Sequence, residues 1–272
     1  AAQAMLARAC RFRNSRAMTG FRKFSGVLLA GLIVAGPLLG APVKIFAASS
    51  LKTALDEVIS QSALDAIAVY GGSAAIARQV AQGAEADIVI LAHPDWMDWL
   101  GERNLLAEQS RCDLVANALV LAGAADSADL ELSSANHLIA ALSGGRLAVG
   151  ELRSVPAGQY AAAYLAGQGW LDDLRPHMAQ TSNVRLALAL VARGEVPLGF
   201  VYASDVSAQP EVRAVFVPPA DSYPPIRYPM ALTGSADEAA MIAYKVLSGA
   251  SDVFMRNGFA EVPQGDGERC AQ

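Results

Sequence analysis

Hydroxyl and other small residues stand where apolar strands give way to helices, and this pattern could bind an anion. In residues 43–60, VKIFAASSLKTALDEVIS, a β-branched and aromatic run is followed by Ser49 and Ser50, and then by apolar residues at helical spacing. A helix N-terminus has unpaired N–H groups and the positive end of the helix dipole, so it can hold an anion without a charged side chain. The alternative is that a serine only caps its helix.

The same arrangement of strand, turn and helix start recurs along the chain. Apolar segments at 66–70, 146–150 and 197–202 lead into Gly71-Gly72-Ser73, residues 154–158 and residues 203–205, and Ser182-Asn183 begins a further helix. In open α/β sheets, ligands bind outside the carboxyl ends of the strands. We therefore expect several helix N-termini to converge on one cleft that binds an anion.

Alternation of strands and helices predicts mostly parallel sheets. The strand–helix groups at 43–113 and 146–202 are joined by long apolar segments at 114–122 and 212–217. We expect an α/β protein of two lobes, each a mostly parallel sheet flanked by helices. Lobe 1 would comprise residues 42–117 and 207–262, lobe 2 residues 118–206, and residues 263–272 would form a disordered tail.

The first 41 residues differ from the rest of the 272-residue chain. They carry six basic and no acidic residues, then an apolar run at 27–34, and then small residues. This pattern is typical of a secretory signal peptide, with an uncleaved membrane anchor as the alternative, and it predicts an exported, periplasmic protein. Removing this segment leaves 15 basic and 26 acidic residues, a formal charge of −11.

Composition argues against two other classes of function. A strongly acidic chain is a poor partner for nucleic acid. The three histidines are scattered, and none stands in a motif with a nucleophile and an acid, so we expect neither an enzyme nor a cofactor. Cys112 and Cys270 could form a disulfide in an exported protein, although two unpaired thiols are the favoured interpretation. No cysteine spacing indicates a metal site.

Several longer motifs resemble one family in order and spacing. They are FAASSL at 46–51, YGGSAAIARQ at 70–79, GGRLAVGELRSVPAGQYA at 144–161, NVRLALALVARGEVPLG at 183–199 and FVYASD at 200–205. Together with RYPMAL and NGFAEV they resemble the periplasmic molybdate-binding proteins of ABC importers over residues 43–262. The resemblance implies a type II periplasmic binding-protein fold. It also implies a monomer that captures molybdate or tungstate between its lobes and delivers it to a membrane permease.

The resemblance also implies which residues bind the anion. Ser50 and Ser73 would donate hydroxyl and backbone N–H groups, Ala157 and Val184 would donate N–H groups, and Tyr202 would donate its phenol hydroxyl. The chain departs from the family pattern just before Ser73, where two glycines stand in place of the serines or alanines that are common there.

Neutral donors suit molybdate because it is a doubly charged tetrahedral oxyanion that only accepts hydrogen bonds. Of the nearby charged residues, we expect Glu151 and Asp205 to be solvated bystanders. We expect Arg78, Arg153 and Arg185 to lie at the rim or to bridge the lobes. The alternative ligand is another oxyanion, such as sulfate or phosphate, or a small organic acid, because pocket size cannot be read from the sequence.

Overall fold

The computed structural model describes residues 41–263 and 268–270. Apart from residue 41, the predicted signal segment lies outside these residues, as do 264–267 and 271–272 of the predicted tail. Within the described part of the chain, no helix is both long enough and apolar enough to cross a membrane.

Strands and helices alternate along the described chain, as the sequence predicts. The strands are β1 (Val43–Ala48), β2 (Ala66–Gly71), β3 (Ile88–Ile90), β4 (Cys112–Asn117), β5 (Leu119–Ala124), β6 (Leu147–Gly150), β7 (Met178–Thr181), β8 (Leu198–Tyr202), β9 (Val212–Phe216) and β10 (Ile226–Leu232). The helices are α1 (Lys52–Gln61), α2 (Ser73–Ala81), α3 (Pro94–Gly101), α4 (Ala135–Ala141), α5 (Pro156–Gly167), α6 (Leu171–Leu174), α7 (Val184–Ala192), α8 (Ala203–Ser207), α9 (Glu238–Ser248) and α10 (Ser251–Arg256). A short 3-10 turn, Ser49–Leu51, joins β1 to α1.

The strands form two five-stranded sheets with matching organisation. The first sheet has the order β2-β1-β3-β10-β4 and the second has the order β7-β6-β8-β5-β9. In each sheet one strand runs against the others, β10 in the first and β5 in the second. The prediction of a two-lobed α/β protein with mostly parallel sheets is therefore confirmed.

Two connections carry the chain between the sheets. The long apolar segment at 114–122 divides at Ala118, so that β4 ends in the first sheet and β5 begins in the second. The chain returns from β9 to β10. Because β9 pairs with β5, residues 212–216 belong to lobe 2, and the predicted boundary at residue 206 was wrong for this strand.

Helices cover both faces of the sheets because their strands are apolar on both faces. In β3, Ile88 and Ile90 belong to the core that includes Leu55 of α1, whereas Val89 faces the opposite cluster with Ile76 of α2. This packing fixes the strands, and therefore fixes the turns at their carboxyl ends.

The C-terminal residues 268–270 are attached to the first sheet. Cys270 forms a disulfide with Cys112 of β4, and Arg269 pairs with Asp113 as a parallel β-bridge. The interpretation of two unpaired thiols was therefore wrong, and the prediction of a disordered tail was wrong for these three residues. The bond joins positions 158 residues apart, and nothing in the local sequence reports their proximity.

Removing the disulfide should destabilise the protein, because it closes a long loop in the unfolded chain. We expect the Cys112→Ser/Cys270→Ser variant to lose about 2–4 kcal/mol of the free energy of unfolding. Urea unfolding of the oxidised protein and the variant would measure the difference. Reductant should weaken the native chain to the level of the variant and leave the variant unchanged. Equal stability of the oxidised protein and the variant would contradict the prediction.

Candidate functional site

The five residues predicted to bind an anion line one small cavity between the two sheets. Ser50 and Ser73 reach it from turns of the first sheet, and Ala157, Val184 and Tyr202 reach it from the second. The lining is completed by small or apolar residues, among them Ser49, Ala92 and Pro156. No residue of this lining, as far as the structure describes it, carries a charge.

Two serine hydroxyls of the first sheet are buried at the cavity. Ser50 and Ser73 are each only 1% exposed. Ser73 begins α2, and its Oγ accepts a hydrogen bond of 3.0 Å from the N–H of Ala92. Since that bond uses a lone pair, the hydroxyl proton of Ser73 is left to donate to another acceptor.

A short chain of hydrogen bonds leaves the hydroxyl proton of Ser50 free to donate, as in Ser73. The Asn117 side-chain carbonyl accepts from the N–H of Ala118 at 2.9 Å, so its amide group points the other way and donates to Tyr228 Oη at 3.3 Å. Tyr228 Oη lies 2.9 Å from Ser50 Oγ and can give it its proton. Ser50 then keeps its own proton for a further acceptor. Sequence analysis did not identify Asn117 or Tyr228, because both act through Ser50 and come from distant strands.

The phenol of Tyr202 supplies a third hydroxyl. Its side chain is 1% exposed, and its Oη has no hydrogen-bond partner among the described residues. Burial raises the pKa of this phenol well above its ordinary value, so it stays protonated and can act as a donor. A buried hydroxyl without a partner is costly, so this phenol has its proton available for a further acceptor.

Backbone donors come from the helices of the second sheet. Pro156 begins α5 and Val184 begins α7, which puts the N–H groups of Ala157 and Val184 in first turns. First-turn N–H groups have no partner within their helix. Asn183 caps α7 by accepting from the N–H of Leu186 at 3.1 Å, and so fixes the start of that helix. These donors and the helix dipoles favour negative charge in the cavity.

Arg185 bridges the two sheets beside the cavity. Its guanidinium donates to the backbone carbonyl of Ser50 at 3.0 Å and to Thr53 Oγ1 at 3.3 Å. Of the two expectations for this arginine, a position at the rim or a bridge between the lobes, these bonds support the bridge. Arg153 is exposed and paired with Glu151, which agrees with a position at the rim.

Asp205 holds Arg185 from the other side. The carboxylate is fully buried, and its Oδ1 lies 2.8 Å from Arg185 Nε. Its second oxygen accepts from the N–H of Tyr202 at 3.1 Å. The expectation of a solvated bystander was therefore wrong, because sequence alone did not show that α8 is buried at this point. Burial raises the pKa of Asp205 to about 6, although Arg185 and the Tyr202 N–H both oppose the increase.

His93 provides a second contact across the cleft. Its Nδ1 accepts from the N–H of Asp95 at 3.2 Å and so caps α3. The ring also stacks on Tyr160 of α5, with the ring centroids 4.9 Å apart. Burial lowers the pKa of His93 and favours the neutral imidazole that this capping bond needs. His93 does not belong to the lining of the cavity.

The chemical character of the cavity follows from these groups. Three hydroxyls and the first-turn N–H groups can donate, and no carboxylate is available among the lining residues described to accept a proton. Such a site favours an anion that carries no proton of its own. Among the described lining residues, no side chain is a nucleophile paired with a base.

Comparison with known proteins agrees with this geometry. Residues 43–260 match the family model of the bacterial extracellular solute-binding proteins. The chain is 37% identical over 247 residues to the molybdate-binding protein ModA of Escherichia coli, covering 87% of this chain and 96% of that protein. It is 34% identical over 252 residues to ModA of Haemophilus influenzae, covering 89% and 99% of the two chains.

A solved structure has the same fold. The periplasmic molybdate-binding protein of Azotobacter vinelandii superposes with a TM-score of 0.69 at 20% sequence identity. The match covers 82% of this chain and 100% of that one. At this level of identity, the likeness concerns the fold.

The raised pKa of Asp205 makes stability depend on pH in a defined direction. The native state holds this proton up to about pH 6, whereas the unfolded chain releases it near 3.8. The contribution of Asp205 to the free energy of unfolding is therefore complete below pH 3.8 and is lost as the pH rises through 6. Asp205→Asn should remove this dependence, so the stability of the native chain relative to the variant should fall by on the order of 2–3 kcal/mol between pH 4 and pH 7.

Urea unfolding at several pH values would measure this difference. Asp129→Asn is the matched control, because Asp129 also pairs with an arginine, Arg213, but its side chain is 80% exposed. Its profile should follow that of the native chain. Parallel profiles for the native chain and Asp205→Asn would contradict the assigned pKa.

Proposed function

Because the chain belongs to the bacterial extracellular solute-binding proteins, and within them to the molybdate-binding proteins, we propose that it captures molybdate in the cavity between its two sheets. In this role it delivers the anion to the membrane permease of an ABC importer and does not transform it. The observation that carries the proposal is the buried Tyr202 hydroxyl, which lacks a partner among the described residues and lines a cavity of uncharged donors.

The donor set fits a fully deprotonated oxyanion. Molybdate presents only acceptors, and each of its four oxygens can receive hydrogen bonds from Ser50, Ser73, Tyr202 or the N–H groups of Ala157 and Val184. Hydrogen bonds to a charged acceptor are about twice as strong as neutral ones. Phosphate at neutral pH retains a proton, which would find no acceptor in this lining. Tungstate has the same charge and shape as molybdate, and we include it as a ligand.

The acidic chain makes the local donors important. With residues 1–41 removed, the formal charge is −11, so the overall field opposes an incoming dianion. The helix dipoles and oriented hydroxyls act over a short range and favour the anion only once it is inside. The same negative charge supports our expectation that nucleic acid is not a partner.

Binding should draw the two sheets together. Neither the first-sheet donors nor the second-sheet donors can surround a tetrahedral ion alone, so the occupied state needs both. A ligand that binds the closed arrangement better shifts the population toward it, and hinge closure is a known response of two-lobed binding proteins. The connections β4–β5 and β9–β10 are the segments that can bend. We propose that the protein acts as a monomer in the periplasm, exported by its N-terminal segment.

Calorimetry with four anions tests the proposed ligand. Molybdate and tungstate should bind, and sulfate and phosphate should bind more weakly. Sulfate is the stringent comparison, because it offers the same charge and the same acceptors on a smaller ion. Equal affinity for sulfate would replace molybdate with a general oxyanion as the ligand, and no binding of any of the four would reject the site.

Removing single hydroxyls should weaken binding. Ser50→Ala, Ser73→Ala and Tyr202→Phe each delete one donor to a charged acceptor, a bond worth about 1.5–3 kcal/mol. We expect the dissociation constant for molybdate to rise by about tenfold to a hundredfold in each variant. Tyr202→Phe should not lower the free energy of unfolding without anion, since its hydroxyl has no partner among the described residues.

Tyr164→Phe is the control for the tyrosine change. Tyr164 is buried on α5, which belongs to the same lobe as Tyr202, but it lies outside the cavity lining. Its variant should bind molybdate like the native chain. If all three donor variants bind molybdate as tightly as the native chain does, the binding site lies elsewhere.

A further inference from the structure

Gly72, the residue before Ser73, meets the other sheet at close range. A Cβ added to Gly72 would lie 2.5 Å from the backbone carbonyl oxygen of Ser182, which belongs to the loop between β7 and α7. Real Cβ atoms essentially never approach another heavy atom more closely than 3.0 Å. At the approach of the two sheets seen in this chain, a side chain at Gly72 would therefore require one of them to shift, although serines or alanines are common before Ser73 in the family that the chain resembles.

The backbone of Gly72 does not itself require glycine. Its φ of −66° and ψ of 140° are ordinary extended values that any L-residue adopts. By contrast, a Cβ at the neighbouring Gly71 would meet only the side chain of Ile76, at 3.2 Å, on helix α2 of the same lobe. The need for a hydrogen at Gly72 thus arises from the opposite sheet.

Neither partner in this contact can move cheaply. The Gly72 carbonyl accepts from the N–H groups of Ala75 at 2.8 Å and Ile76 at 3.0 Å, which fixes it at the start of α2. On the other side, the Thr181 hydroxyl donates to the Asn183 carbonyl at 2.8 Å, across Ser182. The Thr181 carbonyl also accepts from the N–H of Glu151 at 2.8 Å. Hydrogen bonds made by the residues before and after Ser182 therefore hold its carbonyl group in place.

The contact lies directly beside two donors on opposite walls of the cavity. Ser73 follows Gly72 by one residue, and Val184 follows Ser182 by two. We propose that Gly72 is a positioning residue that sets how closely the two sheets approach around the anion, and hence the distance between the Ser73 and Val184 donors. This inference rests on the proposed function and adds a residue that contributes no donor of its own.

Adding one methyl group to Gly72 should misplace the donors. To bring its Cβ from 2.5 Å to the 3.4 Å of an ordinary contact, the walls must separate by a large fraction of an ångström. Hydrogen bonds to the anion cannot then reach their preferred length from both walls at once. We expect Gly72→Ala to raise the dissociation constant for molybdate about tenfold or more. The loss should appear in the dissociation rate, because the first encounter uses the open cleft.

The experiment compares the native chain, Gly72→Ala and Gly101→Ala. Gly101 ends α3 in the same lobe, and a Cβ there would meet nothing within 4 Å. Calorimetry would give molybdate affinity, stopped-flow displacement would give the dissociation rate, and melting temperatures would be recorded with and without molybdate. Native and Gly101→Ala should agree throughout. Gly72→Ala should melt like them without anion and gain less stability with it.

Three results would overturn the inference. If Gly72→Ala binds and releases molybdate as the native chain does, the contact does not limit closure. A fall in its melting temperature that is the same with and without molybdate would place the clash in the fold and not in the anion-bound arrangement. Absence of molybdate binding by the native chain would reject the proposed function and this inference with it, and the native titration distinguishes that outcome from the other two.

Discussion

The proposed function depends on one electrostatic constraint, which is that an acidic protein must hold negative charge without a cationic side chain among the described residues that line the cavity. Helix N-termini and hydroxyls can do this only when several of them point at the same small volume. The two sheets satisfy the requirement because the turns that follow their strands face one another across the cavity. Every donor is therefore placed by a strand end, and strand ends are placed by the apolar cores on both sheet faces.

Charge is present near the cavity but is kept out of its lining. Arg185 lies between the buried carboxylate of Asp205 and the carbonyl of Ser50, so its charge is neutralised on one side and used to join the sheets on the other. A buried ion pair of this kind is poor evidence for added stability, because desolvation offsets the attraction. Its better-supported role is geometric, since it holds the start of α7 against the turn that carries Ser50.

Much of the site was predictable because its units are local. The runs around Ser50 and Ser73 each show a strand, a turn and a helix within about 20 residues, and Ser182-Asn183 marks the start of the helix that carries Val184. Hydrophobic periodicity and capping residues indicate such local units. The features that sequence reasoning missed depend on distant contacts. Asp205 looks like a solvated loop charge until α8 is packed, and Cys112 and Cys270 meet only through the completed sheet. Strand β7, with the sequence MAQT, lacks the apolar run that marks an inner strand because it lies at a sheet edge.

The path of the chain between the sheets also imposes an order of assembly. All five strands of the second sheet are contiguous in sequence, from β5 to β9, whereas the first sheet needs β10 between β3 and β4. Until β10 emerges, β4 has no neighbour through which to join β1, β2 and β3, so the first sheet stays incomplete while the second can already be whole. The bond from Cys112 waits longer still, because Cys270 follows β10 in the chain. In a chain that folds from its N-terminal side, the first lobe therefore stays open after the second has closed, until β10 and Cys270 have joined it.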